Sequence, residues 1–371
     1  MRILYGVVGE GMGHATRSKV VCEHLVERGH QVKIVVSGRA HGFLAKTFED
    51  VVEIKGLTIR YVDNRMDRDG TLARNLALAP SIIGDNVIAY YEKVVAYEPD
   101  VVLTDFDSFA YLFAKRHGLP VVSIDNQQII SRCKHPAAIK KGVKIDYQMT
   151  KGFVRAKLPG CDHYVITTFF EPTVRKKFRE TTTLVPPILR RAVLDAKAKA
   201  RSGDHVLVYQ TSASDTSLLP ALSQIREHKF VVYGMKRGDQ AHATKKAAAG
   251  AERIGNCTVK DFSEEGFVTD LATARAVVCN GGLSLIGEAL YLGKPIFSVP
   301  VRNQFEQVMN ARYLEELGYG LAAEAIEPDL LRLFLGEADK YAARVSKHKQ
   351  KANERLFDAV DSLLKKISKR A

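Results

Sequence analysis

Cysteine is sparse in this chain and never paired. Cys22, Cys133, Cys161, Cys257 and Cys279 stand singly among 371 residues with no C-x-x-C spacing. That pattern excludes a disulfide framework or a zinc cluster as the organising device and marks all five as ordinary thiols. No run approaches the roughly 18 uninterrupted apolar residues of a membrane span, and the start "MRILYGVVGEG" lacks the cleavage region of a secretory signal. A cytoplasmic protein is therefore expected. The P-loop spacing is absent as well. Acids are outnumbered, 42 against 55 Lys and Arg, for a formal charge of +13, which predicts attraction to something anionic.

The excess charge is concentrated. Between residues 132 and 157, Arg132, Lys134, Lys140, Lys141, Lys144, Lys151, Arg155 and Lys157 face the single acid Asp146, and "RKKFRE" follows at Arg175 to Glu180. Such a run reads either as a solvated loop and helix face or as a patch for an anionic membrane surface. Ile139, Val143, Ile145, Met149, Phe153 and Val154 interleave with the lysines in the way the second reading requires. No nucleic acid is expected as a partner, because no nucleic-acid motif accompanies the charge.

What is abundant is apolar β-type sequence. The runs "RILYGVV", "QVKIVVS", "DVVLTD", "LPVVSID" and "HYVITT" alternate with helical patterns, and after Pro186 and Pro187 the alternation restarts with "HVLVYQ", "KFVVYG", "ARAVVCN" and "KPIFSVP". Near-continuous apolar strands separated by helices imply parallel sheets covered on both faces. The length suits two domains, so the expected class is α/β with two doubly wound, Rossmann-like domains: residues 1–187, residues 188–345, and a C-terminal helix at 346–371 that packs back across them. Ligands of such sheets sit beyond the carboxyl ends of the strands.

Two loops at those ends carry chemistry. The first is "GVVGEGMGHATRS", Gly6 to Ser18. A nicotinamide fingerprint needs G-x-G-x-x-G and an acid at the end of the second strand; here Gly9, Gly11 and Gly13 are followed by His14, and the second strand ends Ser37-Gly38-Arg39. Arg39 keeps an NADP reading open. Unpaired amides at the helix start suit a phosphate or a substrate hydroxyl. The second is "VVCNGGLSLIGEALYLGKPIFSVPVRNQFEQVMNA". Asn280 ends a strand, Gly281 and Gly282 let a ligand approach the backbone, Ser284 opens a helix, and Glu288 lies one turn on, where its carboxylate suits the two hydroxyls of a ribose.

At these residues the chain resembles the nucleotide-sugar-dependent GT-B glycosyltransferases, in particular the group containing UDP-sugar transferases of plants and antibiotic producers and the peptidoglycan N-acetylglucosaminyltransferase. Their H-x-G-x-x-S/T-x-x-E, G-x-P and D/E-Q-x-x-N-A signatures match Asn280-Gly281-Gly282 through Glu288, Gly293-Lys294-Pro295, and Glu306-Gln307-Val308-Met309-Asn310-Ala311. Asn280 replaces the family's leading histidine, and Leu285 stands where a hydroxyl is usual. The resemblance implies a GT-B fold with the domains facing across a cleft. It places Gly281, Gly282 and Ser284 along the diphosphate, Glu288 on the ribose, Glu306 and Gln307 on sugar hydroxyls, and Thr211 and Ser212 in a second phosphate-facing loop. It also suggests that Asp105 supports His14, with Asp107 a competing candidate, and that Gly11, Gly13, Asp125, Asn126 and Gln127 lie on the acceptor side.

The function so implied is an inverting, metal-independent glycosyltransferase of cell-envelope biosynthesis. It would take a nucleoside-diphosphate sugar, UDP-linked by preference, as donor substrate and need no cofactor. Since the donor diphosphate has its own glycine turn, the first loop is left to supply the base, His14, for a hydroxyl acceptor. The basic, apolar segment favours a lipid-linked or envelope acceptor and a peripheral place at the inner face of the membrane. A nucleotide-sugar epimerase, a natural-product glycosyltransferase and a non-catalytic binding protein are the alternatives, and the oligomeric state stays open.

Overall fold

A computed structural model describes residues 1–9, 11–56, 60–62, 65–67, 78, 84–210, 217–235, 245–246 and 251–369. The chain divides into two units: Met1–Arg60 with Asp67–Arg190 and Lys351–Ala371, and Arg191–Gln350 with Tyr61–Met66. The boundary falls after Arg190 rather than after Pro187, and the first unit recovers the end of the chain.

In the first unit a parallel sheet runs in the order Val51–Ile54, Gln31–Ser37, Arg2–Val7, Val101–Asp105, Val121–Asp125, His163–Thr167, Thr182–Val185. Its central strands are buried along their length, as expected of a sheet sandwiched between helices. The order reverses between Arg2–Val7 and Val101–Asp105. Such a switch point parts the loops that follow the two strands and opens a ligand crevice. The helix Glu354–Ser368 closes one face: Leu356, Val360 and Leu364, spaced by four, join the cluster of Ile3, Tyr5, Leu25 and Val36. Asn353 clips this tail down by bonding both the N–H and the C=O of Leu189 (2.9 and 2.8 Å). Asp361 accepts from Arg28 at 2.9 Å and pairs with His24 Nε2 at 2.8 Å, and the His24 ring stacks on Phe357 at 4.0 Å.

The second unit repeats the scheme. Cys257–Lys260, Lys229–Tyr233, His205–Tyr209, Ala276–Cys279, Ile296–Ser298 and Gly320–Ala322 are neighbours in that order and parallel; Lys245–Lys246 and Ala251–Ile254 add an antiparallel edge. Its switch point lies between His205–Tyr209 and Ala276–Cys279. Each sheet thus has one switch point, and the residues leading to His14 and to Ser284 lie at them.

Candidate active site

The first crevice is built around Asp105, the last residue of its strand and wholly buried. Gly9 brings the preceding loop against the second strand: its N–H donates to Ser37 Oγ at 3.0 Å, and a Cβ there would lie 1.9 Å from the Ser37 carbonyl oxygen. Gly11, at φ 88°, then starts the helix Met12–Glu27 in a conformation that favours glycine. Gly13 and His14 follow in its first turn, with His14 Nδ1 2.8 Å from Asp105 Oδ1 and the ring only 16% exposed. Asp107 has a different job: it caps the helix Ser108–His117, accepting from the Ala110 N–H at 2.8 Å. Between the two aspartates Phe106 sits at φ 57°, an uncommon conformation for a bulky residue.

Arg17, which the sequence reading did not single out, completes the group. Its guanidinium donates through Nε to Asp105 Oδ2 (2.6 Å) and through Nη2 to Oδ1 (2.5 Å), while Nη1 donates to Asn126 Oδ1 (2.7 Å). Ser18 Oγ donates to Asp105 Oδ2 at 3.1 Å. Burial works to raise the Asp105 carboxyl, but Arg17 and His14 outweigh it and hold the group well below the usual carboxylate range. Burial, with the Arg17 charge beside it, pushes the His14 imidazole below its ordinary value against the pull of Asp105.

Asp125 ends the next strand, and both its oxygens are engaged, one by Ser123 Oγ and the other by the Gln128 N–H at 2.9 Å. Burial raises both Asp107 and Asp125 to about 6. Asn126 is buried and oriented by Arg17, whereas Gln127 is half-buried. Thus Gly11, Gly13, His14, Asp105 and Asn126 gather at one edge, with Asp125 forming part of the packing beneath.

In the second crevice the glycine pair is held by the helix Phe305–Glu316. Gln307 Oε1 accepts from the N–H groups of Gly281 (3.2 Å) and Val301 (2.9 Å), and Asn310 Nδ2 donates to Gly281 O (2.9 Å) and to Glu306 Oε1 (2.7 Å). The Q-x-x-N pair therefore fastens the loop. A Cβ on Gly281 would lie 2.3 Å from the Gln307 carbonyl oxygen, so only glycine fits, while Gly282 has open space around it. Asn280 is buried and donates to Val299 O at 3.0 Å. Half-buried Ser284 and buried Glu288 lie on the helix Leu283–Tyr291 that starts here. Lys294 of the G-K-P run belongs to packing: its buried ammonium donates to the carbonyls of Arg201 and Ala274 (2.6 and 2.9 Å), and burial lowers it to about 8. Across the switch point, the amide of buried Gln210 has no partner among the described residues, nor does the Ser298 hydroxyl. Thr211 and Ser212 lie outside the described residues.

The basic segment splits. Arg132 is buried, its guanidinium 3.8 Å from the ring centre of Tyr164 and 4.2 Å from that of Phe178, and Ile139 and Val154 face the core. These three are not part of a surface patch. The helix Lys144–Lys157 instead exposes Ile145, Met149 and Phe153 (76%, 56% and 53%) at a spacing of four, which is one face. Exposed Lys141, Lys144 and Arg155 accompany it. Among the described residues no helix is long and apolar enough to cross a membrane, and no three His, Cys, Asp or Glu side chains gather as a metal set.

Two doubly wound sheets, each with its loops at a switch point, define a GT-B type glycosyltransferase. Residues 1–338 match the family model for glycosyl transferase family 1, and the chain belongs to that family. An uncharacterised glycosyltransferase of Methanosarcina acetivorans is 26% identical over 332 residues, covering 86% of this chain and 85% of its own. A UDP-N-acetylglucosamine:N-acetylmuramyl-(pentapeptide) pyrophosphoryl-undecaprenol N-acetylglucosamine transferase of Rhodospirillum rubrum is 24% identical, covering 88% and 80%. Among solved structures, UGT2 of Phytolacca americana in complex with UDP-2-fluoro-glucose and pterostilbene has a TM-score of 0.64 at 14% identity, with 99% of each chain covered; at that identity the likeness concerns the fold.

Proposed function

We propose that this glycosyltransferase inverts the anomeric centre in moving a sugar from a UDP-sugar to a hydroxyl of an amphiphilic, lipid-linked acceptor, without a bound divalent metal. The observation that carries the reading is the His14–Asp105 pair at the first switch point (2.8 Å). In the tautomer whose Nδ1–H is donated to the carboxylate, with Arg17 Nη2 donating to Asp105 Oδ1 and not to the ring, Nε2 is the nitrogen left to take a proton. The acceptor oxygen forms the new bond to the anomeric carbon as the bond to the diphosphate oxygen breaks; the acceptor proton goes to His14 and the diphosphate leaves on the second unit. Helix-start amides at Gly282 to Ser284 and the Glu288 carboxylate make that second loop the choice for the diphosphate and ribose. Relatives whose names carry UDP-N-acetylglucosamine and a pyrophosphoryl-undecaprenol acceptor, or a bound UDP-sugar analogue, support this assignment.

The deciding assay incubates the protein with UDP-glucose or UDP-N-acetylglucosamine, chelator and a short-chain polyprenyl-linked acceptor, and reads the product by mass spectrometry and the anomeric proton coupling. An inverted, acceptor-dependent product is expected. Isomerised donor without acceptor would make the protein an epimerase, and transfer to a soluble phenol alone would reject the lipid-linked acceptor.

The exposed stripe of Ile145, Met149 and Phe153 beside lysines supplies the membrane part of the proposal. In vesicle sedimentation the protein binds anionic and not zwitterionic vesicles, and binding falls steeply as salt rises from about 0.05 to about 0.5 M. Phe153→Ser weakens binding by roughly tenfold, about 1.4 kcal/mol of lost apolar transfer. Equal binding to both vesicle types, or to neither, removes the membrane from the proposal.

A further inference from the structure

Arg17 is a charged residue in the middle of a helix that is almost entirely buried, 6% exposed. It stands three positions after His14, so the two side chains emerge on one face. Its fork grips both oxygens of Asp105, and its Nη2 lies 2.6 Å from His14 Nδ1. A buried carboxylate alone beside an imidazole draws a proton onto the ring. Here that carboxylate is already matched by a permanent cation, since a guanidinium does not deprotonate in proteins. The charges that act most strongly on His14 are Arg17 from its own helix, Asp105 from the adjoining strand, and Lys157 from the helix Lys144–Lys157, whose ammonium is itself faced by Asp107 and Asp125. Of these, Arg17 touches both the ring and its partner.

We propose that Arg17 is a positioning residue that fixes Asp105 beneath His14 and, through its charge, keeps the imidazole unprotonated and ready to accept the acceptor's proton. This rests on His14 being the base. The arrangement differs from a bare histidine–carboxylate pair in its purpose. The carboxylate orients the ring, while the arginine cancels the rise in basicity that the carboxylate would cause. Burial of the ring and the nearby Arg17 charge both act to lower its affinity for a proton. Asn126, held by the third guanidinium nitrogen at 2.7 Å, is positioned by the same side chain.

The experiment reads His14 directly by NMR titration of its ring and indirectly by the acid limb of kcat/KM. Arg17→Gln removes the charge while leaving an amide to hydrogen-bond Asp105; both readouts should move to higher pH by roughly 1 to 3 units, the size of a lost neighbouring charge. Arg17→Lys keeps the charge but loses the fork, so the limb should stay near the wild-type pH while the plateau kcat falls. If Arg17→Gln fails to fold because it strands Asp105, the pair Asp105→Asn and Asp105→Asn/Arg17→Gln answers instead. The double variant buries neither charge of the ion pair, and its ring should titrate about a unit or more above the single variant. Unchanged His14 titration in folded Arg17→Gln, or identical titration in the single and double variants, overturns the proposal. Wild-type turnover in His14→Ala would reject the base reading by itself, and the NMR titrations would still decide whether Arg17 governs the ring.

Discussion

His14→Ala lowers turnover by roughly 10² to 10⁴, the range in which a positioned general base acts, and leaves UDP affinity near that of the wild type. The two halves of this result come from different units. The imidazole is held by Asp105 at the first sheet's switch point, whereas the glycine turn, Ser284 and Glu288 belong to the second unit. The pH profile follows from the direction of the His14 shift. As the proposed base, His14 must be neutral, and burial with the Arg17 charge lowers its proton affinity below the ordinary value near 6.5. Activity is therefore flat through neutrality and falls only as pH drops below about 6.5. Asp105→Asn removes the carboxylate that bonds the ring and favours its charged form, so its limb moves to still lower pH. Kinetics at saturating donor and calorimetry with UDP check both halves. Loss of UDP binding with turnover spared at saturating donor would make the first loop a phosphate site.

The parts of this architecture legible in the sequence are those with strong local signals. Runs such as "RILYGVV" and "DVVLTD" are buried central strands and announce themselves by continuous apolarity. Strands at or near the sheet edges do not: Val51–Ile54 carries the exposed Glu53, Thr182–Val185 runs straight into two prolines, and Gly320–Ala322 is three residues long. The expectation that Ile139 and Val154 belong to a surface patch failed because composition does not show which side of a helix meets the core. Arg132 failed for a related reason, since the rings that bury it, Tyr164 and Phe178, are remote in sequence.

Within the candidate site, the glycines and His14 can be read from one loop. Asp105 is 91 residues away from its partner and is placed beside it by strand order. Arg17 is harder to find, because a charged residue within an amphipathic helix ordinarily reads as part of its solvated face; its only local signal is the three-residue spacing from His14. The signature at Glu306 to Asn310 was visible as a motif, but the bonds it makes within the protein were not. Gln307 and Asn310 spend hydrogen bonds on the Gly281 backbone and on Val301, which gives that part of the signature a supporting task.

Glu288→Gln weakens UDP binding by about 1.5 to 3 kcal/mol, the worth of a hydrogen bond to a charged acceptor, or roughly 10- to 150-fold in dissociation constant. The carboxylate lies four residues after Ser284 on the helix Leu283–Tyr291, so both project from one side of it. Its residue is 3% exposed, and under the proposed donor assignment its carboxylate accepts from the ribose hydroxyls while the helix start takes the diphosphate. Glutamine keeps the shape and one acceptor oxygen but removes the charge, so the fold should survive and the loss should fall on the nucleotide. Thermal melting separates the two. Without ligand the variant should melt close to the wild type, and with UDP at a concentration about 100 times the wild-type dissociation constant it should gain much less than the roughly 2.7 kcal/mol that linkage gives the wild type. At saturating donor, turnover should change far less than in His14→Ala. Unaltered UDP affinity in a folded Glu288→Gln protein would take Glu288 out of the donor site and leave the ribose to another residue of the second unit, with the Gln210 amide, which has no partner among the described residues, the next to substitute.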